Sequence, residues 1–422
     1  MVINPSTFRH WTRSLAAGTM VLRGGVVGGN FAVMIGLAAY LGLAEFGRLS
    51  MLWGIALVAS TGLSLGGPLI LLRAMTDGHG IKAGAIPGFA LLLPAALALG
   101  AYFPLQWIWP ALPWGPILLA ALGMNALSCL GSVMRGLGSI RISMVLRDAG
   151  PQLALGVVVL GTGAAPVSMI LSWAAVLMCS VACVLILWAM HRAPRPAPSS
   201  GRLRLADGAA LWGTSVLGVG VAQMDLIAGG FFLPPEVLGL YALLRRVANL
   251  TALPVSVATW VSAAPIAAAF GAGDLRGLQR ESVLASRIAL TSGVALLACG
   301  LVGLLCLPVV LAPAKADMAQ TIFLVLLIGA FVQVWYASGF TVATLCGFAH
   351  FAGFARAATL CSYLLGLILA WPALGPVGNA LLQAAAMSAG SALLWLALRR
   401  QLGVDTSAAA LWRREAVAWK TS

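Results

Sequence analysis

Asp225 stands in an apolar run with no other acid near it, nine residues before Pro234, which places it ~13 Å along a helix at ~1.5 Å per residue. Arg245 and Arg246 stand ten and eleven residues after Pro235, ~15–17 Å along the next helix. A tight Pro234-Pro235 turn between antiparallel helices brings the carboxylate and a guanidinium to one depth. A carboxylate in hydrocarbon is costly unless paired or protonated. Two readings stay open: an ion pair that locks the hairpin, or a charge cluster facing a cavity that binds an anion or a coupling ion. Gly218, Ala222 and Gly229 share the face of Asp225 and would serve close helix packing or leave room for a cavity.

Other polar residues interrupt apolar runs. Arg23 and Asn30 share a helical face, and the intervening Gly24-Gly25-Val26-Val27-Gly28-Gly29 forms two interleaved GxxxG pairs that permit close packing or bending. Arg23 is either a cavity residue or one that snorkels to the interface. Asn30 is either a cavity residue or the donor of a hydrogen bond to a neighbouring helix. Gln333, Trp335, Tyr336 and Ser338 make a polar-aromatic patch suited to a sugar or amphipathic ligand, and equally to packing. Arg73, Arg141, Arg147 and Arg287 form a basic rim, and Arg matches phosphate geometry well. The seven cysteines fall in apolar runs without CxxC spacing, the four histidines are scattered, and the acids are isolated. No metal site, disulfide framework or catalytic carboxylate pair is legible, and no cofactor is expected.

The elements that must position these residues are membrane helices. Of 422 residues, 61% are apolar and 9% charged, against roughly 45–50% and about 25% in soluble domains. Mean hydropathy is +0.99. A soluble globular chain and a disordered one are both excluded. Because a span needs ~20 apolar residues, twelve are expected. They are Gly24–Leu43, Ser50–Leu72, Ala83–Phe103, Ala111–Met134, Ser143–Gly161, Pro166–Met190, Ala209–Leu233, Val237–Phe270, Ile288–Leu311, Ala319–Cys346, Ala357–Leu374 and Val377–Leu398. The charge-free stretch Ala149–Met190 would be ~63 Å long as one helix, so it turns at Gly161-Thr162-Gly163. The eighth run is overlong, and Pro254 is expected to kink it. Arg9, His10 and Arg13 precede the first span, not a secretory signal, since Arg23 and Asn30 interrupt the adjoining apolar run.

Net charge is +14. With both termini assigned to the cytoplasm, every Lys and Arg except Arg48, Lys315, Arg245 and Arg246 falls on the inner side. The positive-inside rule therefore accounts for the basic excess, and nucleic acid is not an expected partner. Trp107, Trp109 and Trp114 fit an interfacial belt. Leu411, Trp412, Ala416 and Trp419 share one helical face, as do Phe8, Trp11 and Leu15, so both ends read as amphipathic segments on the inner leaflet.

The polar stretch around His191–Leu205 divides the chain into a six-helix lobe (1–190), a basic cytoplasmic linker (191–208), a second six-helix lobe (209–398) and a basic amphipathic tail (399–422). The halves echo each other weakly: Gly47 with Gly239, and Pro68 with Pro265. An even span count in each makes the repeats parallel, a frequent design of secondary transporters.

Leu41-Gly42-Leu43-Ala44-Glu45-Phe46-Gly47-Arg48-Leu49, with Gly67-Pro68 and Arg73, resembles the opening of the Wzx-type polysaccharide and O-antigen flippases of the multidrug/oligosaccharidyl-lipid/polysaccharide (MOP) exporter superfamily. Asp225-Leu226-Ile227-Ala228-Gly229-Gly230-Phe231-Phe232, with Pro235, Gly239, Tyr241 and Arg245, resembles the second-half pattern. The resemblance implies an all-α, MATE-like fold of two six-helix lobes around a central cavity. It implies transfer of an undecaprenyl-diphosphate-linked oligosaccharide to the outer leaflet of the bacterial inner membrane, beside polysaccharide polymerase machinery, by a monomeric transport unit. Arg23, Asn30, Arg245, Arg246, Gln333 and Tyr336 would then line a cationic cavity. Asp225 would carry a coupling ion (H+ or Na+) or balance the arginines. The lipid II flippases of the superfamily carry two further spans. The runner-up is a cation-coupled drug or metabolite exporter of the MATE branch. An enzyme is not expected.

Overall fold

The computed structural model describes residues 5–76, 84–163, 165–192, 205–311, 313–370 and 375–412. Lys82, Arg413, Arg414, Ala416, Trp419, Lys420 and most of the 191–208 linker lie outside the described residues, as do the side chains of Phe8, Trp11 and Leu15. The described residues are helical throughout apart from short turns. In chain order the helices are α1 (Pro5–Leu41), α2 (Leu43–Leu63), α3 (Gly67–Thr76), α4 (Ala85–Ile108), α5 (Trp114–Gly136), α6 (Ile140–Thr162) and α7 (Val167–Arg192). They continue as α8 (Leu205–Phe232), α9 (Pro235–Leu250), α10 (Leu253–Gly271), α11 (Leu275–Val310), α12 (Pro313–Trp335), α13 (Gly339–Leu345), α14 (Ala349–Ala370) and α15 (Pro376–Leu402). Among the described residues, eleven are long and apolar enough to cross a membrane, and twelve spans result if the two bent parts of α10 count as one. The chain is thus an all-α, multi-pass membrane protein.

Large apolar side chains point outward, as hydrocarbon solvent requires: Leu160, Leu305, Val309, Ile368 and Leu369 are all exposed. Inside, large side chains such as Trp53, Phe46 and Tyr363 are fully buried, and glycines set the closest helix approaches. A Cβ on Gly123 of α5 would stand 2.9 Å from Met178 Cβ of α7, so only glycine allows that approach. Gly47 and the first turn of α9 pack together, with Gly47's absent Cβ aimed at the Pro235 carbonyl and 2.7 Å from Gly239 N. The two glycines singled out as repeat partners therefore face each other.

Three expected spans are broken rather than continuous. The second ends at Leu63, turns through Ser64-Leu65-Gly66, and resumes as α3. Gly66 takes φ 77° and Leu65 takes φ 44°, and Pro68 restarts the helix at a position where no N–H is needed. The eighth stops at Leu250 and resumes at Leu253, with Pro254 in the first turn of α10 instead of kinking a continuous helix. Farther on, α10 bends by 41° between Leu253–Thr259 and Val261–Gly271. These breaks pair Pro68 with Pro254 (254 − 68 = 186), not with Pro265, which lies inside α10. The tenth run also breaks, at Tyr336–Ser338. The hairpin at Gly161–Gly163 forms as expected, with Gly163 at φ 69°.

Two compact units result, 1–219 with 234–239, and 220–233 with 240–422. In the first, α5 is the central buried helix. Two π-helical turns interrupt its neighbours: Gly88–Leu92 in α4 and Val145–Ala149 in α6. A π-turn frees backbone carbonyls, which hydrocarbon cannot satisfy. Asparagines supply the missing donors. Asn125 Nδ2 reaches the Phe89 and Ala90 carbonyls at 3.1 and 3.0 Å, and Asn30 Nδ2 reaches the Asp148 carbonyl at 2.6 Å.

Two cavities and a buried ion pair

The first unit holds a polar cavity of about 350 Å³. One wall is the α2–α3 break, with Ser60, Thr61, Ser64, Gly66 and Pro68. A second is the α5 stripe Asn125, Ser128, Ser132 and Arg135, spaced three, four and three residues apart on one helical face. The third is α6, with Ser143 in its first turns and Arg147 and Asp148 on its π-turn. Trp212 and Ser215 of α8 complete it, and Trp212 Nε1 donates to the Thr61 carbonyl at 3.0 Å. Two guanidiniums face one carboxylate here, and Arg147 Nε stands 3.9 Å from Asp148 Oδ1, a loose pair. Serine and threonine hydroxyls supply both donors and acceptors. Such a lining solvates an anion.

The second unit holds a cavity of about 330 Å³ of different character. Gln333, Tyr336 and Phe340 from the α12–α13 break line it, together with Thr259, Thr341, Thr344, Ser391 and Arg356. The Arg356 guanidinium lies 4.8 Å from the centroid of the Phe340 ring. No acidic side chain among the described residues lines the cavity.

The two linings follow one register. Met124, Ser128, Ser132, Arg135 and Arg147 of the first cavity correspond to Gln333, Ala337, Thr341, Thr344 and Arg356 of the second, every pair 209 positions apart (333 − 124 through 356 − 147). The helix starts agree as well. Gly138 at φ 83° precedes α6 as Gly347 at φ 80° precedes α14, at the same spacing of 209 (347 − 138). Of the charged lining residues, the arginine alone is common to both copies.

Asp225 and Arg245 meet inside the second unit. Arg245 Nε stands 2.7 Å from Asp225 Oδ2, and both side chains are almost wholly buried. Tyr241 Oη donates to the same oxygen at 2.9 Å. A second guanidinium nitrogen of Arg245 donates to the Ala222 carbonyl. Asn379 Nδ2 donates to the Asp225 carbonyl at 3.1 Å, and Asn379 Oδ1 accepts from Tyr363 Oη at 2.5 Å. Asp225 Oδ1 makes no hydrogen bond among the described residues, nor does Arg246 Nε. Of the two candidate arginines, Arg245 takes the pairing, and Arg246, ~100° further round the helix, does not.

The remaining expected residues are dispersed. Arg23 lies within Coulomb reach of Asp148 and Arg147, and Asn30 bonds the π-turn that carries them. Gln333 and Tyr336 share the second cavity, with Arg147 in the first. Arg73, Arg141 and Arg287 are exposed and line neither cavity. Arg135 and Arg356 went unselected by sequence, hidden among the inner-side basic residues. The stripe Asn125-Ser128-Ser132-Arg135 was the available signal.

No family model matches the chain, and no curated protein is similar to it in sequence. Solved structures share its fold. It superposes on the MATE multidrug transporter DinF-BH with a TM-score of 0.65 at 16% identity, over 95% of this chain and 96% of that one. A MOP superfamily transporter from Pyrococcus furiosus, described as having a binding pocket of reversed polarity, gives 0.63 at 13% identity, over 90% and 93%. A multidrug resistance MATE family transporter of the MOP superfamily gives 0.58 inward-facing (12% identity, 91% and 98% covered) and 0.60 outward-facing (14%, 90% and 93%). At these identities the likeness establishes the fold, that of the MOP transporters.

Proposed function

We propose, for a chain with the MOP transporter fold, that it moves a polyprenyl-diphosphate-linked oligosaccharide from the inner to the outer leaflet of a bacterial cytoplasmic membrane, for assembly of a surface polysaccharide. The carrying observation is the first-unit cavity, where Arg135 and Arg147 stand among serine hydroxyls with Asp148 as the one acidic side chain among the described lining residues. A diphosphate needs paired guanidiniums and hydroxyl donors, and Arg binds phosphate through two parallel hydrogen bonds. An organic cation would be repelled there. Arg23 adds positive charge beside the same π-turn. The prenyl tail stays in lipid while the headgroup crosses, by alternating access with both termini cytoplasmic. The bilayer and a polysaccharide polymerase are the expected partners of a monomeric unit, and the role is transport, not catalysis. Reversed pocket polarity in a neighbour of the same fold supports separating fold from cargo sign.

A second reading, a cation-coupled drug or metabolite exporter, is at least as well supported by the fold neighbours. It also draws on Asp225, whose Oδ1 offers a place for a proton or cation. Depleting the protein in its native cell and quantifying polyprenyl-diphosphate-linked oligosaccharides by mass spectrometry separates the two. Accumulation of one such lipid with loss of a surface glycan supports the flippase. An unchanged pool with altered sensitivity to cationic drugs supports the exporter.

A further inference from the structure

The second-unit cavity has chemistry that a diphosphate does not call for. We infer that it recognises a carboxylate-bearing sugar, with Arg356 as the residue that selects the acid. This rests on the flippase reading for the source of the sugar, but not for its chemistry.

The donors and acceptors divide by position. Thr341 Oγ1 donates to Thr259 Oγ1 at 3.2 Å, and Thr259 donates onward to the Val255 carbonyl at 2.8 Å. Thr344 Oγ1 donates to the Phe340 carbonyl at 2.8 Å. With their hydrogens committed to protein partners, these hydroxyl oxygens present lone pairs, which accept from sugar hydroxyls. Arg356 and Gln333 supply donors on other walls of the cavity. Arg356 lies over the Phe340 ring, 4.8 Å from its centroid, and its guanidinium carries N–H donors in a fork whose geometry matches a carboxylate. One guanidinium matches one carboxylate, whereas the paired arginines of the first cavity match a phosphate chain. Aromatic walls suit the apolar faces of a pyranose. The Tyr336 wall is braced, since its ring stands 6.1 Å from that of Trp395, whose Nε1 donates to Asp405 Oδ1 at 2.8 Å. Asp405 is held in turn by Gln279, through its N–H at 2.7 Å and its carbonyl at 3.0 Å.

The test uses the purified full-length chain in lipid nanodiscs, titrated by calorimetry with digalacturonate, neutral digalactose and inorganic pyrophosphate. Digalacturonate is expected to bind at least about tenfold more tightly than digalactose, a margin typical of a charge-assisted hydrogen-bond pair. Arg356→Gln removes that margin, and Arg356→Lys, which keeps the charge but loses the fork, removes most of it. Arg147→Gln leaves it intact while weakening pyrophosphate. Equal binding of the two disaccharides, or an unchanged margin in folded Arg356→Gln and Arg356→Lys, overturns the inference. Loss of pyrophosphate binding alone strikes the flippase reading and leaves this one standing. Vesicle transport separates the sources: movement of a lipid-linked uronate glycan assigns the sugar to the carrier lipid, and movement of free digalacturonate assigns it to a soluble acid. Either movement, lost in Arg356→Gln, supports the site.

Discussion

In the first cavity Arg147 is joined by Arg135 and Asp148, and in the second its counterpart Arg356 is joined by Thr344 where the first has Arg135, while Ala357 stands in sequence where the first has Asp148. Ser128 gives way to Ala337 and Met124 to Gln333, while Phe340 and Tyr336 supply aromatic walls. The backbone frame is held in common, down to a left-handed glycine two residues before each arginine-bearing helix. A duplicated frame therefore fixes where a guanidinium stands, and on the proposed reading the residues lining the cavity around it decide which anion it suits.

The largest effect that would break this comparison falls on the first cavity. Arg147→Ala should abolish translocation, and Arg135→Ala should reduce it strongly, because a diphosphate loses one of two charge-assisted forks at about 1.5–3 kcal/mol per bond. Arg356→Ala should instead preserve movement of neutral glycans and lose acidic ones, read with lipid-linked substrates of defined composition. If Arg356→Ala and Arg147→Ala behave alike on every substrate, the division of labour is wrong.

Next in size is the buried pair, which lines neither cavity. Removing one partner of such a pair costs about 3–5 kcal/mol. Asp225→Asn and Arg245→Ala should each lower thermal stability in detergent and impair transport at equal protein level, while Lys315→Ala should do neither. The double variant Asp225→Asn/Arg245→Ala should recover part of the stability, since no unpaired buried charge remains. Recovered stability without transport marks a transport role for Asp225, and recovery of both marks a structural one.

A smaller effect concerns the π-turns. Asn30→Ala and Asn125→Ala each strip the partner from freed carbonyls, at about 1–3 kcal/mol. Asn30→Ala should also weaken pyrophosphate binding, because the turn it holds presents Arg147. Unchanged pyrophosphate affinity would confine Asn30 to packing. The smallest shift is expected from Asp405→Asn, which loosens the brace on Trp395. It should alter Trp395 fluorescence and lower uronate affinity a few-fold, with pyrophosphate unaffected.

Much of this was legible in sequence because hydrocarbon enforces simple rules. Span number, the Gly161–Gly163 turn and the common depth of Asp225 and Arg245 come from helix rise and bilayer thickness. The breaks at Ser64–Gly66 and Thr251–Ala252 lie inside runs long and apolar enough to be read as single spans, and only the Pro at the restart marks the place. The π-turns carry no composition signal, yet the one in α6 brings Arg147 and Asp148 to the cavity. The spacing of 209 is hidden because the matching residues differ in type. Separately, weak identity pointed to Pro265 as the partner of Pro68, where the helix restarts select Pro254. Arg135 and Arg356 read as ordinary inner-side charges until the helices placed them beside hydroxyls and rings.

The most direct test of the account is translocation in reconstituted vesicles. Wild-type protein and Arg147→Gln, at equal copy number, would be given a fluorescent polyprenyl-diphosphate-linked glycan whose arrival in the far leaflet is read by membrane-impermeant quenching. The account predicts transfer by the wild type and its loss in Arg147→Gln. Transfer of a fluorescent organic cation instead, with the diphosphate lipid left in place by the wild type, would contradict it.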